Sequence, residues 1–99
     1  MRLDWTGVDV AHVEGHRVSR AEIEGMIGLE WWEQFPDVNG GPARRLLIGY
    51  SERGRIITLV VQLAQAAHGR LRVYPVTSWP ATTAERAAFQ RRFWNRRSE

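Results

Sequence analysis

The sequence predicts a single α+β domain: a small antiparallel sheet of about four strands with helices packed on one face, in the order β-α-α-β-β-β-α. Three observations predict it. The 99 residues are too few for two hydrophobic cores. After residue 43, apolar or alternating runs are joined by short turns, which is typical of hairpin-linked strands. Two segments begin with Ser or Thr and have Glu three residues later, a pattern that starts helices.

The first half of the chain predicts one strand and two helices. Arg2–Trp5 alternates between polar and apolar residues, so it is predicted to be a short first strand. Residues 8–16 are predicted to form a short helix. Ser19 is expected to cap a second helix, whose apolar face would hold Ile23, Met26, Ile27 and Trp31. Phe35–Ala43 contains two prolines and an Asn-Gly-Gly run, which predict a loop.

The second half predicts three strands and a final helix. Arg44–Ser51 and Arg55–Leu63 are two of the strands, joined by a short turn at residues 52–54. The second of these is an almost continuous β-branched run, so we expect it to be central and covered on both faces. Arg70–Trp79 alternates, and its Pro75 predicts an edge position or a bulge. Thr82–Glu85 has the capping pattern of the last helix.

Composition excludes several kinds of chemistry. All 14 cationic residues are Arg, and the chain has neither Lys nor Cys, so Schiff-base lysines, thiol nucleophiles and disulfides are excluded. No apolar run approaches a membrane span, and the N-terminus lacks an apolar signal core, so a cytoplasmic protein is expected. Residues 1–43 have a net charge of −5 and residues 44–99 of +8, which favours a polyanionic partner for one surface; the alternative is that the two halves neutralise each other across the fold.

The expected ligand surface combines arginines with aromatic side chains. On the third strand of the second half, Arg70, Arg72 and Tyr74 would point outward, joined by Arg44 or Arg45 from the neighbouring strand. Trp79, Arg86 and Trp94 are further candidates for RNA contacts, whereas Trp5 and Trp31 are expected in the core. His12 and His16 have helical spacing but no third ligand in the pattern, so neither a metal nor another cofactor is expected.

Arginines of this kind could support metal-independent RNA cleavage. The ribose 2′-OH attacks its own phosphate, so the protein needs only guanidinium groups for the developing charge and a group that moves protons. His16, Tyr74 and Glu85 are the candidates for proton transfer. For Glu85, a role in the helix cap is the favoured interpretation.

Several short motifs, in order, resemble the BrnT-type toxins. The first are Asp4-Trp5 and Gly15-His16-Arg17-Val18, followed by a serine-capped helix. The middle of the chain is similar to that family's hairpin, and the last part to its C-terminal signature. The residues that carry this likeness are Arg45–Gly49, Gly54-Arg55, Ile56–Val61, Val76–Trp79, Ala81-Thr82, Glu85-Arg86 and Phe89. The family often has Arg at the positions of Tyr74 and Trp79, and Arg72 could replace the first of these.

The resemblance implies a RelE-like fold and a type II toxin–antitoxin toxin, a ribonuclease that arrests translation. It also implies a BrnA-like antitoxin with a ribbon-helix-helix part. The matched positions are His16, Arg45, Arg55 and, less closely, Arg86. With Arg72 and Tyr74 added from the strand pattern, the expected catalytic set is His16, Arg45, Arg55, Arg72 and Tyr74. Two alternatives remain: a non-catalytic module that binds RNA or an acidic protein, and a homodimer held by its tryptophans.

Overall fold

The computed structural model describes residues 1–98 and contains a four-stranded antiparallel sheet between two layers of helix. The strands lie in the order β1-β2-β3-β4, so β3 is interior, and β1 and β4 are the edges. The elements are α1 (Val10–Val13), a 3₁₀ turn (Glu14–His16), α2 (Arg20–Leu29), β1 (Trp32–Pro36), β2 (Arg44–Tyr50), β3 (Ile56–Gln65), a 3₁₀ turn (Ala67–Gly69), β4 (Leu71–Pro80) and α3 (Thr83–Arg97). No helix within residues 1–98 is long and apolar enough to cross a membrane.

The predicted class and strand number are confirmed, but the first strand was wrongly placed. Arg2–Trp5 is not a strand: the Asp4 amide donates to the Val73 carbonyl at 2.8 Å, and no ladder follows. The first strand is instead Trp32–Pro36, whose last two residues the prediction assigned to the loop Phe35–Ala43. The order of elements is therefore two helices, four strands and a helix.

Gly49 explains why the chain pairs at Trp32–Pro36. A Cβ atom at Gly49 would lie 2.5 Å from both the Trp31 carbonyl oxygen and the Trp32 Cβ. Only a residue without a side chain lets β1 approach β2 so closely. Glu30 ends α2 in the left-handed conformation, with φ of 58°, and turns the chain into this pairing.

The central strand was predicted correctly. Every residue from Ile56 to Val61 in β3 is buried, as expected for a strand covered on both faces. The β2–β3 connection turns at Gly54, which has φ of +82°. β4 is an edge strand, and its register against β3 shifts between Val60 and Val61, opposite Pro75. The Pro75 prediction is therefore confirmed.

Helices cover both faces of the sheet, so the prediction that they pack on one face was wrong. On one face, α1 and α2 contribute Val13, Ile23 and Met26 to a core with Leu47, Ile57 and Leu59. On the other, α3 buries Phe89 and Phe93 against Ile48 and Ile56. The physical reason is the sequence of β2 and β3, where successive residues are apolar. Both faces of these strands must then be removed from water.

Helix α3 begins with the predicted capping box at Thr82 and Glu85. At α2 only half of the predicted box forms. The Ser19 hydroxyl accepts from the Glu22 amide at 3.1 Å, but the Glu22 carboxylate turns inward to Arg55 instead of returning to the cap.

Candidate nucleic-acid interface

Three polar side chains form a row across the sheet, on the face that carries α3. Arg44 of β2 is the register partner of Gln62 in β3, which is also the register partner of Tyr74 in β4. Cross-strand partners point to the same face and are neighbours. The Arg44 Nε donates to the Gln62 Oε1 at 3.1 Å, and all three residues are half-buried. They lie toward the opposite ends of the strands from Ile48 and Ile56, which α3 covers.

The strand register confirms only part of the predicted grouping of arginines with Tyr74 on one face of the sheet. Tyr74 and Arg72 share the face with Arg44, but Arg44 is not on the strand next to β4, since β3 lies between them. Arg45 pairs with Val61 and points to the opposite face, where its guanidinium donates to the Pro42 carbonyl and, at 2.9 Å, to the Arg44 carbonyl.

A basic cleft adjoins this row at Arg72. We use the name for an open concavity of about 650 Å³ between the N-terminal segment, the start of α2 and the start of β4. Four guanidinium groups and one carboxylate line it, giving a strongly positive local charge. The charged lining residues are Arg2, Arg20, Arg70, Arg72 and Asp4, and the aromatic one is Trp5.

The N-terminal segment is held against β4 by three kinds of contact. Leu3 is buried in the core, the Asp4 amide donates to the Val73 carbonyl, and the Asp4 Oδ2 binds the Arg72 Nη1 at 2.7 Å. The Arg20 guanidinium stacks on the Trp5 ring, with the Arg20 Cζ 4.5 Å from the ring centroid, and the Trp5 Nε1 donates to the Glu24 carboxylate. These contacts shape the cleft before any ligand binds.

Asp4 is the one acidic group in the basic cleft. Its Oδ1 accepts from the Thr6 amide at 2.9 Å. The hydrogen bonds from Thr6, and then the one from Arg72, lower the pKa of Asp4 below its usual value. Asp4 therefore stays ionised at neutral pH and binds the Arg72 guanidinium, as a phosphate oxygen could.

Arg55 lies outside the basic cleft, in an ion pair that crosses the fold. Its Nε and Nη2 atoms donate to the two oxygens of Glu22 at 2.8 and 2.6 Å, and Nη2 also donates to the Arg17 carbonyl at 2.6 Å. The Arg55 fork lowers the pKa of Glu22, and Glu22 raises the pKa of Arg55. The Glu22 side chain is only 2% exposed. Arg55 therefore neutralises the buried Glu22 carboxylate.

Glu85 and Trp79 are likewise engaged in holding the fold. One Glu85 oxygen accepts hydrogen bonds from the Thr58 hydroxyl, the Trp79 indole and the Thr82 amide, each at 2.9 Å. The capping role favoured for Glu85 is therefore observed. Trp79 is positioned by that carboxylate near the start of α3, five residues along β4 from Tyr74.

The remaining predicted residues are scattered. His16 is exposed at the end of the 3₁₀ turn beside α1, and Arg86 is exposed in the first half of α3. Trp94 is 57% exposed near the end of α3, beside Trp31, which is 52% exposed. The placement of Trp31 in the core was wrong, because α2 ends before it. Trp5 does pack partly buried against the core.

The structure thus brings Arg70, Arg72, Tyr74 and Arg44 into one region and adds Arg2 and Arg20, which sequence reasoning missed. The one pattern in the sequence that pointed to Arg2 was its alternation with Asp4 around the apolar Leu3, and this pattern does not indicate which strand the two residues contact. Within residues 1–98, no three His, Asp or Glu side chains cluster closely enough to hold a metal ion.

Comparisons with protein-family models, curated proteins and solved structures found no match to this chain. The candidate interface combines forked cation donors for phosphate oxygens with an adjoining phenol and indole.

Proposed function

We propose that the protein binds single-stranded RNA along the basic cleft and the Arg44–Gln62–Tyr74 row. The observation that carries the proposal is the position of Arg72, which lines the cleft and also lies beside Tyr74 on the sheet. A strand of RNA lying across both would meet guanidinium groups at its phosphates and the Tyr74 ring at a base. Stacking of that kind needs an unpaired base, which favours single strands over duplexes.

Cleavage of the bound RNA is a second candidate function, favoured by the phenol of Tyr74 between Arg72 and the Arg44–Gln62 pair. In this reaction the ribose 2′-oxygen forms a bond to phosphorus while the bond to the 5′-oxygen breaks. The 2′-OH proton passes to a base, the leaving 5′-oxygen gains a proton, and a 2′,3′-cyclic phosphate results. Arg72 and Arg44 would stabilise the charge on the phosphorane, with Tyr74 handling a proton.

The cleavage proposal agrees with the resemblance to BrnT-type toxins. The same resemblance implies an antitoxin partner, which we also propose. One observation favours the non-catalytic alternative. Arg55, which the resemblance places in the catalytic set, is bound to the buried carboxylate of Glu22. An RNA-binding module would not need Arg55.

Binding is tested by fluorescence anisotropy with a labelled single-stranded RNA of about 20 nucleotides over a salt series. We expect Arg70→Ala/Arg72→Ala to weaken binding at least about tenfold, and to flatten the salt dependence by about 1.4 in slope for two lost contacts. The matched control, Arg86→Ala/Arg91→Ala, removes the same charge from exposed positions on α3. Equal losses in both variants would show that net charge alone drives binding and would overturn the proposal.

Cleavage is tested on the same RNA in excess chelator. The expected result is a product with a 2′,3′-cyclic phosphate that is absent when the ribose at the cut is 2′-deoxy, and lost in Tyr74→Phe while binding is kept. Growth after induced expression extends the test to cells: arrest by the wild type, but not by Arg70→Ala/Arg72→Ala at equal protein level, supports a toxin. Binding without any product assigns the non-catalytic module.

A further inference from the structure

Four aromatic rings form a patch at the C-terminal end of α3, in which Trp31 and Trp94 are exposed and Phe93 is buried. The aromatic patch comprises Trp31, Tyr50, Phe93 and Trp94, and with Gly54 and Arg97 it lines an open concavity of about 520 Å³. The rings are mutually fixed, because the Phe93 ring centroid lies 5.3 Å from that of Trp94, 5.6 Å from Tyr50 and 6.5 Å from Trp31. Edge-to-face contacts of this kind make the patch a rigid surface.

Two of the rings leave much of their area in water. Trp31 is 52% and Trp94 57% exposed, and Leu29, two residues before Trp31, is 39% exposed. Large apolar side chains grouped in this way mark interaction surfaces, whereas single exposed ones do not. Trp is also the residue type most enriched among the side chains that dominate binding energy at protein interfaces.

One acidic and one basic residue adjoin the aromatic patch. Glu30 directly precedes Trp31, and Arg97 stacks on the Phe93 ring with its guanidinium carbon 3.6 Å from the centroid. Within the part of the chain that the structure describes, neither Glu30 nor Arg97 belongs to an ion pair.

We propose that the aromatic patch binds a second copy of this chain in a two-fold symmetric dimer. In such a contact each copy presents the same surface, and the proposed arrangement sets Glu30 of each copy against Arg97 of the other. A rim of mixed sign fits its own copy. A strongly acidic partner would meet Glu30, and a strongly basic one would meet Arg97, at a cost in repulsion.

The dimer leaves the basic cleft free. The patch lies beside the start of β1 and the end of β2, whereas the cleft lies at the start of β4, the opposite edge of the sheet. Each dimer would therefore carry two clefts. The inference does not depend on RNA binding, since it rests only on the aromatic patch and its rim.

The two exposed tryptophans supply only part of the area that a dimer interface needs. Taking a Trp side chain as about 250 Å², the exposed halves of Trp31 and Trp94 in two copies supply about 500 Å². A stable interface buries about 1,600 Å² in total, so the tryptophans would form its centre and supply about a third. We expect association in the micromolar range, visible only as protein concentration rises.

The test is sedimentation velocity of the full chain from about 1 μM to about 1 mM. We expect a concentration-dependent monomer–dimer equilibrium that Trp94→Ser weakens at least about tenfold. The matched control is Leu71→Ser, an exposed apolar residue away from the patch at 61% exposure, which should leave the equilibrium unchanged. Circular dichroism confirms that each variant is folded.

Charge reversal tests the two-fold arrangement itself. Glu30→Arg and Arg97→Glu should each weaken the dimer, and the two changes in one chain should restore it, because the pair is only exchanged. A wild type that stays monomeric throughout the concentration range overturns the proposal and leaves the aromatic patch to a different protein. A dimer that Trp94→Ser does not weaken, or that the double reversal does not restore, overturns the proposed contact.

Discussion

Replacing Arg55 by Met tests whether this residue serves the fold or the ligand. The change keeps an apolar stem but removes both forked hydrogen bonds to Glu22, whose side chain is 2% exposed. Leaving a buried charge without its partner costs about 3–5 kcal/mol. Here the Arg55 side chain is 32% exposed and Arg53 remains 3.9 Å from the carboxylate, so water and that second cation reduce the loss.

We therefore expect Arg55→Met to lower the free energy of unfolding by about 2–3 kcal/mol. For a domain of this size, that loss lowers Tm by about 10–20 °C. Urea and thermal unfolding followed by circular dichroism measure it. The matched control, Arg53→Met, removes an arginine whose side chain is 71% exposed and should cost less than about 0.5 kcal/mol.

A double variant separates the buried charge from other effects of the substitution. Glu22→Gln/Arg55→Met removes the carboxylate charge together with its partner, so its stability should exceed that of Arg55→Met alone. While it is folded, Arg55→Met should bind RNA like the wild type. A structural role for Arg55 is refuted if the stability of Arg55→Met lies within about 0.5 kcal/mol of that of the wild type and RNA affinity is nevertheless lost, because Arg55 would then be a ligand contact.

Three further results are expected. The pKa of Glu22 is lowered in the fold, so its ion pair stabilises the protein at neutral pH, and urea titrations should show this stability disappearing as the pH falls below the ordinary pKa of 4.5. A Glu22→Gln chain whose stability depends on acid pH in the same way would contradict this. Asp4→Asn frees Arg72, so anisotropy should show RNA affinity rising about two- to fivefold at low salt, and an unchanged or weaker affinity would mean that phosphate does not compete with Asp4. Gly49→Ala should cost more than about 2 kcal/mol in urea unfolding, because its Cβ meets the β1 backbone, whereas Gly28→Ala, with open space around it, should be neutral or stabilising.

Local signals in the sequence predicted the elements that depend on local physics. The β-branched run of β3 predicted an interior strand because any strand so apolar on both faces must be covered. The Thr82–Glu85 box predicted the start of α3 because its hydrogen bonds join residues three apart. β1 escaped prediction because its stability comes from pairing with β2, and above all from the space left at Gly49, 17 residues further along than Trp32.

The candidate site divides in the same way. Alternation along β4 identified Arg72 and Tyr74 as neighbours on one face, because side chains of a strand point to one side at every second residue. It could not show that Arg2 and Arg20 would complete a cleft with them, since no local pattern relates residues 50 or more positions apart. Nor could it show that the Arg55 guanidinium would meet Glu22, or the Trp79 indole Glu85.

What the sequence by itself determined, then, is an arginine-only, cysteine-free α+β chain with one aromatic and basic strand. The tertiary structure decided which arginines are available to a ligand. Folding brings some of them to buried carboxylates distant in sequence, where Coulomb attraction and burial hold them, and leaves others grouped around open space. That selection depends on contacts between remote parts of the chain, and periodicity and capping patterns report only on neighbours.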